Sequence, residues 1–294
     1  MPKLELRFLA ASVLVGCAAL AACSVWVETP DDRRPGPSGA GDPGVELDLT
    51  TFEIVDLTHA FGPETIYWPT DTTGFLLEQL AFGETDGGYF YSAYALATAE
   101  HGGTHIDAPI HFHEGGVDAA SIPLRRLLGP AVVIDITAQA AGAVDYRLTP
   151  ADVEAHEAEH GEIPPGSLIL LRTDWSARWP DALGYLGDDT PGDASSLHFP
   201  SYGDEAARLL VEERGAAALG ADVASIDYGP STDFTVHQIA AAAGVPSLEN
   251  LTNLDQLPAR GATVIALPMK ISGGSGGPLR AVALVPGPVL SGER

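Results

Sequence analysis

The sequence predicts an α/β domain, and three observations carry that prediction. Short apolar runs of strand length recur along the chain. Segments bounded by helix-start and helix-stop residues lie between them. Hydrophobic residues make up 45% of the 294, enough to bury a core, and no internal repeat is present.

In chain order, Phe52 to Leu57 is the first strand-like run, and Tyr89 to Ala97 is a second, aromatic and alternating. Val132 to Ile136, Leu168 to Arg172, Ala217 to Ala221 and Thr263 to Leu267 follow as short apolar runs. A helix is predicted from Thr149-Pro150, an N-cap with proline at the first helical position, to a stop at Gly161. A second covers Asp204 to Arg214, with Gly215 behind it. A third covers Thr235 to Ala243, with Gly244 as its C-terminal stop.

Charge excludes one class of function. Fifteen basic and 40 acidic side chains leave a net charge of −25, which repels a phosphate backbone, so no nucleic-acid partner is expected. The two cysteines, Cys17 and Cys23, can build neither a disulfide framework nor a cysteine-rich zinc site.

Both cysteines lie at the start of the chain. Lys3 and Arg7 precede an uncharged run from Phe8 to Ala22, short of the ~20 residues that span a bilayer but suited to a signal peptide. The run ends Leu20-Ala21-Ala22-Cys23, which resembles the lipobox of bacterial lipoproteins. That resemblance implies a signal peptide over 1–22, lipid attachment at Cys23, and export to the bacterial cell envelope with membrane contact only through the anchor. Residues 23–48, rich in proline and glycine, read as a flexible tether. The globular body then runs over 49–290.

Four constellations could carry chemistry. The densest is His101-Gly-Gly-Thr-His105-Ile-Asp107-Ala-Pro-Ile-His111-Phe-His113. Gly102, Gly103 and Pro109 argue against a helix, so a turn followed by extended chain is expected, with His105 and Asp107 on one side at period two. Imidazoles plus a carboxylate suit zinc, manganese or ferrous iron, the alternative being a histidine-rich surface loop. His156-Glu-Ala-Glu-His160 matches the H-E-x-x-H signature of zinc proteases, but its helix carries charge nearly all round and reads as a solvated surface helix. Gly273-Gly-Ser275-Gly-Gly277 satisfies G-x-S-x-G, yet Arg280-Ala-Val-Ala-Leu-Val behind it looks like a strand, and no histidine follows to complete a triad. That leaves a glycine loop of unassigned role. The fourth constellation is His237 with Glu249, one helix and one reversal apart.

The first and fourth together resemble the cyclase family of metal-dependent hydrolases, which includes bacterial kynurenine formamidase. The motif H-x-G-T-H-x-D-x-P-x-H-F is met by His101, Gly103, Thr104, His105, Asp107, Pro109, His111 and Phe112, and the downstream E-N-L by Glu249-Asn250-Leu251. Asp56-Leu-Thr58, Arg172-Thr-Asp174-Trp175, Asp222 to Asp227 and Leu267-Pro-Met-Lys270 are similar too. The resemblance implies a single swivelling β/β/α domain, homodimeric or homotetrameric. It implies two divalent ions, zinc or manganese, held by His101, His105, Asp107, His237 and Glu249, with His111 as the catalytic histidine. Tyr67-Trp68-Pro69 lies where such proteins line the substrate pocket with aromatics, so Trp68 is the candidate substrate-binding residue, while His113 is left at the surface or behind the site. The activity implied is that of an arylformamidase, converting N-formylkynurenine to kynurenine and formate. Alternatives are hydrolysis of another small molecule, a cyclic amide such as isatin or a lactone, and a non-catalytic metal- or solute-binding lipoprotein. His111 separates these classes, because a pure binding site has no need of a histidine beside the ions that ligates nothing.

Overall fold

The structure, a computed structural model, describes residues 48–287. The expected export signal, Cys23 and the expected tether up to residue 47 lie outside the described residues, as do the last three residues of the expected body.

The described residues hold twelve strands: β1 (Phe52–Asp56), β2 (Phe75–Glu84), β3 (Phe90–Thr98), β4 (His105–Asp107), β5 (Leu128–Asp135), β6 (Arg147–Leu148), β7 (Leu168–Arg172), β8 (Ser201–Tyr202), β9 (Ala218–Ala221), β10 (Ser247–Glu249), β11 (Arg260–Pro268) and β12 (Gly276–Pro286). Eight of them form one mixed sheet in the order β1-β12-β11-β5-β7-β9-β10-β4. The long β12 closes it, because its first residues, Gly276 to Pro278, also pair with β4, while its last ones, Val282 to Pro286, pair with β1. The result is a barrel with β5, β7, β9 and β10 parallel and the remainder antiparallel.

This closure explains why the strand runs are continuously apolar rather than alternating. Val133, Leu168, Leu170, Leu248 and Val264 point into the barrel. Their neighbours Val132, Ile134, Ile169 and Leu171 point outward, beneath a layer of helices and long loops. The middle of β5, β7 up to Leu171 and the whole of β9 are therefore buried on both faces, whereas β11 alternates buried and more exposed residues.

Five short α-helices cover that outer side: α1 (Thr137–Gly142), α2 (Pro150–His160), α3 (Ala182–Leu186), α4 (Asp204–Arg208) and α5 (Thr235–Ala242). α2 starts as expected, in a capping box in which Thr149 Oγ1 accepts from the Asp152 N–H and Asp152 accepts from the Thr149 N–H. It is not wholly solvated, however. Val153 and His156 are buried, and Glu157 is clamped by Arg214 at 2.8 and 3.0 Å, so a narrow stripe packs inward and only the rest faces water. The helix expected over Asp204–Arg214 divides. α4 ends at Arg208, and a wide π-turn covers Leu209–Glu213, with the Arg214 N–H reaching back to Leu209 O. That wider turn keeps Leu210 and Val211 both in the core.

The aromatic run at 89–97 is β3, and its partner β2 carries too many polar residues to read as a strand alone. The two form a separate ribbon with a bulge at Leu80.

Candidate metal centre

The site is built where β4 lies between β10 and β12. Antiparallel pairing sets His105 opposite Glu249 and Asp107 opposite Ser247. Side chains two apart on a strand share a face, so this register places one imidazole, two carboxylates and a hydroxyl together. Ser247 Oγ donates to Asp107 Oδ2 at 3.1 Å. On the other side of β4, Gly276 stands opposite Asp107. A Cβ there would lie 2.6 Å from His101 Cε1 and 2.4 Å from Ile106 O, so the glycine makes room for the His101 ring.

His237 arrives from the first turn of α5. Asp227 accepts the Val236 and His237 backbone N–H groups, each at 3.0 Å, and so caps the helix from outside it. The same carboxylate accepts from His237 Nδ1 at 2.6 Å.

Each buried imidazole thus has one nitrogen held and the other aimed inward. His105 Nδ1 donates to Gly103 O at 2.9 Å, leaving Nε2 at 3.2 Å from Asp107 Oδ1 and 3.4 Å from Glu249 Oε2. That Nε2 is buried without a hydrogen-bond partner. His237 Nε2 faces Asp107 Oδ2 and Glu249 Oε1, both at 3.1 Å. His101 Nδ1 sits 2.6 Å from Asp107 Oδ1, and its Nε2 is 2.9 Å from Ser275 Oγ. Ser275 in turn donates to Glu100 through both its N–H and its hydroxyl. The glycine loop at 273–277 is therefore the support of His101. Its serine hydroxyl is directed to Glu100 Oε2 at 2.6 Å and stands beside His101 Nε2.

Electrostatics match the geometry. Burial opposes charge on His105, yet Asp107 and Glu249 outweigh it and hold the ring at about 9. Burial likewise opposes charge on His237, but Asp107, Asp227 and Glu249 push it well above its ordinary value. Asp107, which burial alone would raise, is held well below the usual carboxylate range by His101, His105 and His237. Such a pocket demands positive charge. A divalent cation would supply it while leaving the inward nitrogens free to coordinate. One candidate donor set is His105, Asp107 and Glu249; another is His101, Asp107 and His111, with the donor atoms of each set within 4.8 Å of one another. The residues present fit a divalent cation: nitrogen and oxygen donors, an orphaned inward nitrogen, and orienting partners behind them.

His111 ends a single 3-10 turn, Pro109–His111, rather than continuing the extended chain. Its ring stacks on His101 at 3.8 Å between centroids. Burial is the main cause that lowers its pKa, to about 4, so its imidazole is neutral at pH 7. His113 is exposed and takes no part. His156 and His160 lie on α2, away from this cluster, and no group of three donors forms around them among the described residues.

Above the donors is a cavity of about 390 Å³, walled by Tyr67, Trp68, Phe112 and Phe234. Tyr67 packs so closely over Gly102 that a Cβ there would meet its ring at 2.0 Å. Trp68 is held edge-on against Phe199 and tilted against Phe234. The expected site residues His101, His105, Asp107, His111, His237, Glu249 and Trp68 all line this one cavity. Sequence reading did not single out Asp227, Ser247 and Glu100, and it met Ser275 only in a glycine loop of unassigned role, yet all four hold those residues in place. Only Asp227 lay in a segment already noted as family-like.

Comparison with known proteins agrees. The "Putative cyclase" family model matches residues 55–228. An isatin hydrolase of Roseibium aggregatum is 34% identical over 259 residues, covering 83% of this chain and 95% of that protein. A kynurenine formamidase of Salinibacter ruber is 28% identical, over 78% of this chain and 96% of its own length. Among solved structures, isatin hydrolase A from Labrenzia aggregata superposes with a TM-score of 0.73 at 36% identity, over 81% of this chain and 95% of that one. With its histidine motif, its barrel and its relatives in agreement, the chain belongs to the cyclase family of metal-dependent hydrolases.

Proposed function

We propose that this chain hydrolyses the ring amide of a neutral aryl lactam of the isatin type, using divalent metal at the His101–Glu249 cluster. The observation that carries this reading is the composition of the cavity. Its walls are aromatic, and among the described residues no lysine or arginine lines it, while Asp71 does. N-formylkynurenine bears an α-carboxylate, for which the lining offers no lysine or arginine; a flat uncharged bicycle stacks between Trp68, Phe112 and Phe234 without that cost. The relatives named for isatin hydrolysis support the same choice. Arylformamidase activity is the second reading, favoured by the kynurenine formamidase relative.

His105, Asp107, His237 and Glu249 hold one ion in this proposal, and His101 with Asp107 a second, zinc or manganese in each. A bound divalent ion supplies a water of pKa near ~7 and polarises the amide carbonyl. His111 faces the cavity as a neutral imidazole, takes a proton from the attacking water and passes it to the departing ring nitrogen, so that a C–O bond forms as the C–N bond breaks and the single ring-opened product carries both a carboxylate and an aryl amine. Trp68 stacks on the aryl ring. The chain is exported and anchored through Cys23, where it meets exogenous compounds; a Cys23→Ala chain is expected to leave the membrane fraction.

The test measures metal content of the purified protein, then turnover of isatin, N-formylkynurenine and a simple aryl formamide with and without chelator. Isatin turnover at least ~10-fold above the formamides in kcat/KM, abolished by chelator, is expected. Chelator-resistant turnover would sink the mechanism. Preference for N-formylkynurenine would favour the second reading.

A further inference from the structure

Four non-glycine residues among those described have a left-handed backbone: Asp174 (φ 60°), Phe234 (φ 51°), Asn250 (φ 54°) and Asn253 (φ 57°). Three are aspartate or asparagine, whose short polar side chains tolerate that region. Phe234 is the exception, because its Cβ crowds the following carbonyl and its ring makes no local hydrogen bond in return. Phe234 also breaks a second local rule. It stands at the N-cap of α5, where serine, threonine, asparagine or aspartate would accept from a helix N–H, and it makes no side-chain cap. The surrounding chain compensates for both. Asp227 takes the Val236 and His237 N–H groups instead, and Ser231 Oγ accepts the Phe234 N–H at 3.2 Å. On the helix side, the Gln238 N–H donates to Phe234 O at 3.1 Å. Residues held in this way against their own preference cluster where function needs the side chain.

What the strain secures is a ring position. The Phe234 ring is half-buried in the wall of the metal cavity, its centroid 5.4 Å from that of Phe112 and 6.0 Å from that of Trp68. The imidazole of His237 lies 6.1 Å away on the same side. An ordinary β-region N-cap would turn the Cα–Cβ bond out of that direction. From this geometry we infer that Phe234 is a specificity-determining residue, held in a left-handed backbone so that its ring closes the aryl pocket beside His237. The inference rests on the aryl lactam reading above, and adds that ring recognition and fold stability oppose each other at this residue.

The test compares two variants of the full, metal-loaded chain. Asparagine tolerates the left-handed region and can cap α5, whereas leucine keeps apolar volume and suffers the same strain as phenylalanine. Phe234→Asn is therefore expected to melt about 2–4 °C above Phe234→Leu, the reverse of the order that burial alone would give. Affinity is read by calorimetry with oxindole, a neutral bicyclic aryl lactam, so no turnover is needed. Its Kd is expected to rise at least ~10-fold in Phe234→Asn and ~3-fold in Phe234→Leu, with metal content unchanged. Phe234→Leu melting as high as Phe234→Asn or higher overturns the proposal, as does oxindole binding equal to wild type in either variant. Loss of metal from either does so too, because Phe234 would then serve to place His237. A wild type that binds no oxindole overturns the assignment even where isatin is hydrolysed. If isatin is not hydrolysed while oxindole binding shows the expected losses, the proposed reaction fails and the assignment holds.

Discussion

Two pairs of histidines in this chain stand four residues apart, His101 with His105 and His156 with His160, and both match a metal-site signature. Only one sits in a cage. Around His105, pairing of β4 with β10 brings Glu249 from 144 positions away, and α5 adds His237 with Asp227 behind it. Around His156, the chain brings nothing of the kind. The two rings on α2 lie 4.8 Å apart, the nearest carboxylate to His160 is Glu159 at 3.9 Å on the surface, and His156 Nε2 is buried without a partner. Spacing within a segment can put two imidazoles on one face. It cannot supply the inward carboxylates that make a cation welcome, or the acceptors that fix which nitrogen points inward.

The comparison can be broken most decisively at Glu249. Glu249→Gln is expected to lose bound metal and to lower kcat/KM by at least ~10³-fold, because water without the ion returns from a pKa near ~7 to ~15.7. His156→Ala is expected to keep both. Metal analysis alongside kinetics checks the pair, and metal lost from the α2 variant instead would move the site to the helix. His111 sharpens the contrast within the first segment. His111→Gln should retain metal while kcat falls ~10²- to 10⁴-fold, and loss of metal would make it a ligand instead. Third comes the outer partner: Asp227→Asn should weaken metal affinity ~10- to 100-fold, read by chelator competition, since His237 loses the acceptor that fixes its orientation. The smallest effect belongs to α2. His156→Leu removes a buried unpartnered polar atom, worth about 1 kcal/mol of stability, and should raise Tm by about 2–4 °C without changing turnover. A lowered Tm would show that His156 has a use in the fold.

Much of this was legible in the sequence because it is local. The apolar runs at 132–136 and 168–172 are strands because such segments bury both faces, and Thr149-Pro150 starts a helix because it satisfies orphan N–H groups at once. The motif from His101 to Phe112 announced the donors. Less legible were β2, whose Glu78 and Gln79 interrupt any apolar pattern, and the π-turn after Arg208, which burial of Leu210 and Val211 requires. Ser275 is instructive, because within its own segment it imitates a nucleophile elbow and only the fold reveals it as the prop of His101.

By itself, then, the sequence determined the central apolar strands, the starts of α2 and α5, the donor types and the acidic, cysteine-free character of the body. Tertiary structure alone decided that β12 closes the barrel through β4, that Glu249 faces His105, that Asp227 and Ser275 orient the imidazoles, and that an apolar ribbon stands outside the core. The reason is physical. Periodicity and capping act over a few residues, whereas register between β4, β10 and β12 is set by which distant faces bury together, and a pair of charges acquires its meaning only once water has been excluded from between them.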